Sequence, residues 1–246
     1  MAFRNASTPS IGDINDDGSP DIVVGSLDYH IHAIDQEGKT LTGFPVKTGY
    51  RIYSGVALAD LNGDFILDLV VGSGDRKLYG LQGNGRALMN FPIKLNGRIA
   101  AEPVIADLDQ DGRYEIAVTT QKGDLHIFTD KGKPFLKKPI RLGGNLKVAP
   151  AVARLDGQES FKLVATSTTG VVHAYSFAAK AKLSRGVAWP MVAHSTAHTG
   201  RFWPNPGRFK NLDFKEKILS TTNPIVTTYK HFDLDGDAEK KTQIRW

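Results

Sequence analysis

The chain has 246 residues, 41% apolar and 23% charged, the balance of a globular protein that buries a sizeable core. It has no cysteine, which excludes disulfides, thiolate metal sites and cysteine nucleophiles; no apolar run of about 18 residues is present to span a membrane, and the opening MAFRNASTPS lacks the apolar stretch of a signal peptide. The net charge of +5 is concentrated in the tail, where Lys180, Lys182, Arg185, Arg201, Arg208 and Lys210 are scattered among Ala, Trp, Pro and Gly without a nucleic-acid reader motif, so no nucleic-acid partner is expected.

The first distinctive element is DINDDGSPD, residues 13–21, which places oxygen-bearing side chains at alternate positions. The same register returns after 47 residues in DLNGDFILD and after another 47 in DLDQDGRYE. Ile22, Leu69, Ile116 and Leu163 share that step, as do Ile31, Leu78, Leu125 and Val172. Four repeats are therefore expected between about residues 8 and 199.

Each repeat reads as short strands. In the third, a strand runs into Asp107, an acidic loop follows, and further strands are expected at 115–120, 125–129 and about 136–142, separated by turns at Lys122-Gly123-Asp124 and Lys131-Gly132. The runs DIVVG, DLVVG, EIAVT and KLVAT are apolar on both faces. A four-stranded unit with two apolar faces buries them only by stacking on its neighbours, which predicts an all-β fold of β-propeller blades, each with four antiparallel strands, as part of a larger propeller.

Within each acidic loop, positions 1, 3, 5 and 9 supply side-chain oxygens and position 7 a backbone carbonyl, as a hard divalent cation with six to eight oxygen ligands demands. The candidate ligands are Asp13, Asn15, Asp17, the Ser19 carbonyl and Asp21; Asp60, Asn62, Asp64, the Ile66 carbonyl and Asp68; and Asp107, Asp109, Asp111, the Arg113 carbonyl and Glu115. An EF-hand is excluded, because position 12 is Val24, Val71 or Val118, each inside a strand, instead of the required Glu. A simple acidic turn explains one or two of these residues per loop, but not a further carboxylate eight residues after the first. About three calcium sites are the expectation. Phe65 stands where the other two loops have Gly18 and Gly112, and a left-handed residue there costs roughly 1–2 kcal/mol when it carries a Cβ. The fourth repeat, RLDGQESFK, puts Arg154, Gln158 and Lys162 at ligand positions, so no ion is expected there.

DINDDGSPDIVVGS, DLNGDFILDLVVGS and DLDQDGRYEIAVTT, with the HIHAIDQEG-like segments that follow, resemble FG-GAP/VCBS-type repeats, the calcium-loop blades of integrin α-subunit propellers and many bacterial surface proteins. The resemblance covers about residues 8–199 and implies that calcium pins the loop between two strands of a blade. WPMVAHSTAHTG, residues 189–200, is similar to a segment that often ends such arrays.

The expected organisation is propeller blades over 1–200, a linker over 201–222, and over 223–246 the beginning of an incomplete Ig/cadherin-like β domain. In that last segment Asp233, Asp235 and Asp237 form a further acidic turn, although its position 9 is Lys241. Both ends read as parts of a longer polypeptide carrying further domains. His32, His126 and His173 share one repeat position with Tyr79 and so fall on different blades; His194 and His198 lack the Glu of a helical zinc motif, and no nucleophile elbow or phosphate loop is present. The functional expectation is a non-catalytic, calcium-binding module of an extracellular, cell-surface or periplasmic protein, which mediates adhesion by binding a protein or glycan ligand at a loop face. The alternative is the scaffold of a propeller-type polysaccharide lyase or hydrolase.

Overall fold

The computed structural model describes residues 7–154, 161–168, 170–179, 186–191 and 218–219. The described structure is all-β. Blade one contains β1 (Ser10–Gly12), β2 (Asp21–Gly25), β3 (His30–Ile34) and β4 (Val46–Lys47), hydrogen-bonded in chain order. Blade two repeats this with β5 (Val56–Ala59), β6 (Asp68–Gly72), β7 (Lys77–Leu81) and β8 (Ile93–Lys94), and blade three with β9 (Val104–Ala106), β10 (Glu115–Thr119), β11 (Asp124–Thr129) and β12 (Ile140–Arg141). All pairings within these blades are antiparallel, and the registers follow the 47-residue period: Ile22 faces Ile34, and Leu69 faces Leu81.

Burial explains the apolar runs. Strand β5 lies against β1 on one side and β9 on the other, and β9 also meets β13 (Ala151–Ala153), the first strand of blade four, so the blades stack in sequence order. Both faces of β6 and β10 are consequently buried along their whole length. In β2, at the end of the stack, buried and half-buried residues alternate. The core is continuous across blades one to three through Val23, Ile31, Leu69, Leu78, Ile105 and Ile116, and a second cluster around Leu125, Leu163 and Tyr175 joins blades three and four.

Blade four departs from the expected four antiparallel strands. It has β13 (Ala151–Ala153), β14 (Lys162–Thr166) and β15 (Val172–Phe177) in antiparallel order, but its fourth position is taken by β17 (Ile218–Leu219), which runs parallel to β15. Between them in sequence, β16 (Val187–Trp189) leaves the repeat order altogether. It pairs antiparallel with β9, giving blade three a fifth strand at the edge that also touches β5. Trp189 is buried there, and its indole N–H donates to Glu102 Oε1.

The expected last strand of blade three is also shorter than read, Ile140–Arg141 in place of 136–142. Pro139 has no N–H to give to a ladder, and Lys137 and Lys138 precede it, so pairing starts only at Ile140. The predicted linker and Ig/cadherin-like segment lie outside the described residues, apart from β17, as do His194, His198, Asp233, Asp235, Asp237 and Gln158.

Candidate metal centres

Twelve of the fifteen residues named for the three loops fall between the first and second strands of blades one, two and three, and the other three, Asp21, Asp68 and Glu115, open the second strand of each. The local fold follows from short polar side chains bonding the nearby backbone. The N–H at position 2 donates to the position-9 carboxylate in every loop: Ile14 to Asp21 Oδ2 at 3.0 Å, Leu61 to Asp68 Oδ2 at 2.9 Å, Leu108 to Glu115 Oε2 at 2.8 Å. The side chains of Ile14, Leu61 and Leu108 are buried in the core, which fixes the start of each loop.

The position-5 carboxylate accepts from the N–H at position 7 in the same way: Asp17 from Ser19 at 2.8 Å, Asp64 from Ile66 at 2.9 Å, Asp111 from Arg113 at 3.0 Å. Asp13 accepts from Asp17 and Gly18 N–H, and Asp107 likewise from Asp111 and Gly112 N–H. In blade two the corresponding Asp60 accepts from Gly63 N–H at 2.7 Å.

The backbone turns at the same two places in each loop. Position 4 has φ of 60° at Asp16, 84° at Gly63 and 56° at Gln110, and position 6 has 82° at Gly18, 68° at Phe65 and 86° at Gly112. Phe65 therefore adopts the left-handed conformation that its position demands, with its ring 89% exposed. Loop two keeps the geometry of its neighbours in spite of the missing glycine.

The loops differ in depth. In the first two, only the position-9 carboxylate, Asp21 or Asp68, is buried, whereas the third buries Asp107, Asp109 and Glu115 together, with one potential ligand oxygen from each within 4.8 Å of the others. Position 3 is Asn15 and Asn62 in the shallow loops, where the amides donate to Asp17 and Asp64 at 2.8 Å, and Asp109 in the deep one. Burial pushes the Asp68 carboxyl up to about 7, with the charges of Asp64 and Asp60 adding to the rise. Burial pushes Glu115 up to about 9, followed by the charge of Asp109 and, more weakly, those of Asp111 and Asp107. Asp21 is also raised, chiefly by burial, and its Oδ1 is buried without a hydrogen-bond partner. Buried, mutually repelling carboxylate oxygens accompanied by a carbonyl at position 7 form a donor set suited to a hard divalent cation.

The fourth repeat breaks this set. Lys162 occupies the position of Asp21, Asp68 and Glu115 and is fully buried, and the Arg154 guanidinium lies 4.8 Å from the centre of the Phe161 ring. The histidine series does not converge either. His32 bonds Asp28 at 2.9 Å within blade one, Tyr79 donates to Asp75 at 2.6 Å within blade two, His126 reaches Asn96 at 3.4 Å, and His173 stacks beside Tyr175. The Trp189–Glu102 pair was not legible in the sequence; the one signal is a buried-type aromatic in the terminal segment 87 residues from its partner.

Residues 13–71, the first loop through the second, match the model of the FG-GAP-like repeat family. Repeats of this family typically occur in extracellular proteins. No curated protein matches the chain. Among solved structures, the chain is similar to BamB from Moraxella catarrhalis, at 17% identity and a TM-score of 0.51 over 71% of this chain and 47% of that one. It is also similar to the V. cholerae biofilm matrix protein Bap1, at 18% identity and a TM-score of 0.41 over 74% of this chain and 37% of that one. The computationally designed Ika4 protein gives 13% identity and a TM-score of 0.46 over 72% of this chain and 92% of that one. The chain spans about half the length of BamB. The likeness to BamB, together with the stacked four-stranded sheets, shows propeller blades. No helix among the described residues is long and apolar enough to cross a membrane.

Proposed function

We propose that this chain is a calcium-stabilised β-propeller module of a secreted or cell-surface protein, which binds a protein or glycan ligand and has no catalytic chemistry of its own. The observation that carries the reading is the threefold recurrence of one loop geometry around acidic side chains, with Asp107, Asp109 and Glu115 buried together in the deepest copy. The residues that would hold calcium are Asp13, Asn15, Asp17, Asp21 and the Ser19 carbonyl in blade one, with their 47-residue counterparts in blades two and three. When bound, the cation supplies positive charge where burial now opposes ionisation. The role is structural, because each loop ties the first strand of a blade to the second.

Among the described residues, three carboxylates outside the loops are engaged in local bonds: Asp28 with His32, Asp75 with Tyr79, Asp124 with Arg141. This favours binding over acid–base chemistry. The adhesive role rests on the extracellular habit of FG-GAP-like repeats and on the two loop-bearing ends that a propeller presents.

The test is the melting temperature of the whole chain in millimolar calcium and after chelation. Each site filled at a hundredfold excess over its Kd stabilises the fold by about 2.7 kcal/mol. The expected result is a rise with calcium that Glu115→Gln combined with Asp109→Asn reduces; identical melting curves in both conditions would remove the metal from the account.

A further inference from the structure

The chain direction through each blade places the metal loops, and the turns between third and fourth strands, at one end of the propeller. Turns between second and third strands, and the connections from blade to blade, lie at the other end. At that second end the backbone repeats closely. The Arg51 carbonyl accepts from Gly74 N–H at 3.0 Å and the Arg98 carbonyl from Gln121 N–H at 2.8 Å; the Tyr29 carbonyl accepts from Thr48 N–H and the Arg76 carbonyl from Leu95 N–H, both at 2.7 Å. Each of these pairs of bonds is related by the 47-residue step.

The side chains at this end do not repeat. Tyr29, Arg76, Gly123 and Gly170 share one repeat position, and their φ values are 75°, 70°, 85° and 81°. Glycine holds that conformation freely, whereas a side chain with a Cβ is strained in it. Blades one and two therefore keep a tyrosine and an arginine where their own backbone favours the glycine found in blades three and four. Strain of this kind persists where the side chain has a task.

Around Tyr29 the neighbouring loops assemble a cluster. Its ring stacks on Tyr50, with centres 5.6 Å apart and planes 21° from parallel, and the Arg98 guanidinium lies 5.3 Å from the centre of the Tyr50 ring. The Arg51 guanidinium interacts with the phenol groups of Tyr53 and Tyr29. Tyr29 is 37% and Tyr53 36% exposed, and Arg51, Arg76 and Arg98 all face solvent. Among the described residues no carboxylate lies within ion-pair distance of these three arginines. The nearby acids are already committed, Asp28 to His32 and Asp75 to Tyr79 and to Gly49 N–H.

From this we infer that the Tyr29–Tyr50–Tyr53 cluster, with Arg51, Arg76 and Arg98, is the docking site for an acidic polypeptide segment of a partner protein. The inference rests on the reading of the chain as a binding module and names its surface and partner class. Exposed tyrosines and arginines are the residues that concentrate binding energy in protein interfaces, and guanidinium groups pair with carboxylates in two-point geometry. The Tyr50 ring is already in contact with Tyr29 and Arg98, so what the cluster offers outward is phenol hydroxyls and guanidinium N–H donors. These meet carboxylates better than they provide an open platform for a sugar ring.

The experiment is fluorescence anisotropy of a labelled oligoglutamate peptide on the intact, calcium-saturated chain, with an oligolysine control and polygalacturonate as a competing acidic glycan. Saturable oligoglutamate binding is expected, weakened about tenfold or more by Arg51→Glu with Arg98→Glu. Tyr29→Gly should weaken it too, while the melting temperature stays the same or rises, because glycine relieves the strained φ; a purely structural tyrosine would lower it. Binding that survives both changes, or no binding at all, overturns the inference. Preference for polygalacturonate over the peptide also overturns it and leaves the binding-module reading standing. A melting temperature indifferent to calcium, with peptide binding intact, would remove the metal and keep this surface.

Discussion

Phe65 shows what a single residue reveals about this repeat. It is 89% exposed and its φ of 68° matches the glycines at the same place in blades one and three, so the loop imposes a conformation that the residue itself disfavours. Phe65→Gly loses no packing and releases the strain, and after allowance for the greater freedom of glycine in the unfolded chain it should stabilise by about 0.5–1 kcal/mol. Urea denaturation in calcium would show this as a higher midpoint with an unchanged slope. The sequence foretold a left-handed residue here because the ligand register could be aligned across three loops. Trp189 had no such alignment to reveal it. Its partner Glu102 lies 87 residues away, and a three-residue strand carries no pattern that names the edge it joins. Trp189→Phe removes the indole donor from a buried carboxylate and should cost about 1–3 kcal/mol, with Glu102→Gln in the same chain recovering part of the loss in a double-mutant cycle.

Between elements, the blades interlock through absent side chains. A Cβ added at Gly72, the last residue of β6, would stand 2.0 Å from Ile99 Cγ2, and at Gly25, one repeat earlier, 2.3 Å from Ile52 Cγ2. The strand of one blade is thus flat where the connection into the next blade presses an isoleucine onto it. Gly72→Ala forces that isoleucine or the strand to shift and should destabilise by about 1–3 kcal/mol, and Ile99→Ala in the same chain, which removes the Cγ2 in the way, should make the double change cost less than the sum of the two single ones. The period, the strand order and the doubly apolar runs were legible because they are written three or four times in one sequence. The arrival of β16 beside β9 is written once and depends on contacts that no repeat duplicates, whereas the late start of β12 after Pro139 is written three times, since β4 and β8 likewise begin directly after Pro45 and Pro92.

At the scale of the whole molecule the three loops act on one fold, so their protonation and their metal bear on a single stability. The ligand positions could be read from spacing, but the greater depth of the third loop could not, since it arises from packing around Asp107, Asp109 and Glu115. That depth sets the pH dependence. The folded, metal-free chain holds a proton on Asp68 up to about pH 7 and on Glu115 up to about pH 9, while the unfolded chain releases them near the ordinary values of 3.8 and 4.5. Over this window the folded form binds more protons than the unfolded one, so the stability of the metal-free protein falls as pH rises from about 4 toward 9. Calcium requires the same oxygens deprotonated, and its binding therefore releases protons and gains strength across that range. Melting temperatures with calcium and with chelator should lie close together near pH 5 and diverge toward pH 8, mainly through loss of stability in the chelated sample. Glu115→Gln removes the acid whose carboxyl is raised to about 9, so it should flatten the chelated curve between about pH 7 and 9 while weakening the calcium response. Differential scanning calorimetry across the series measures both, and a chelated stability that climbs with pH would contradict the burial of these carboxylates.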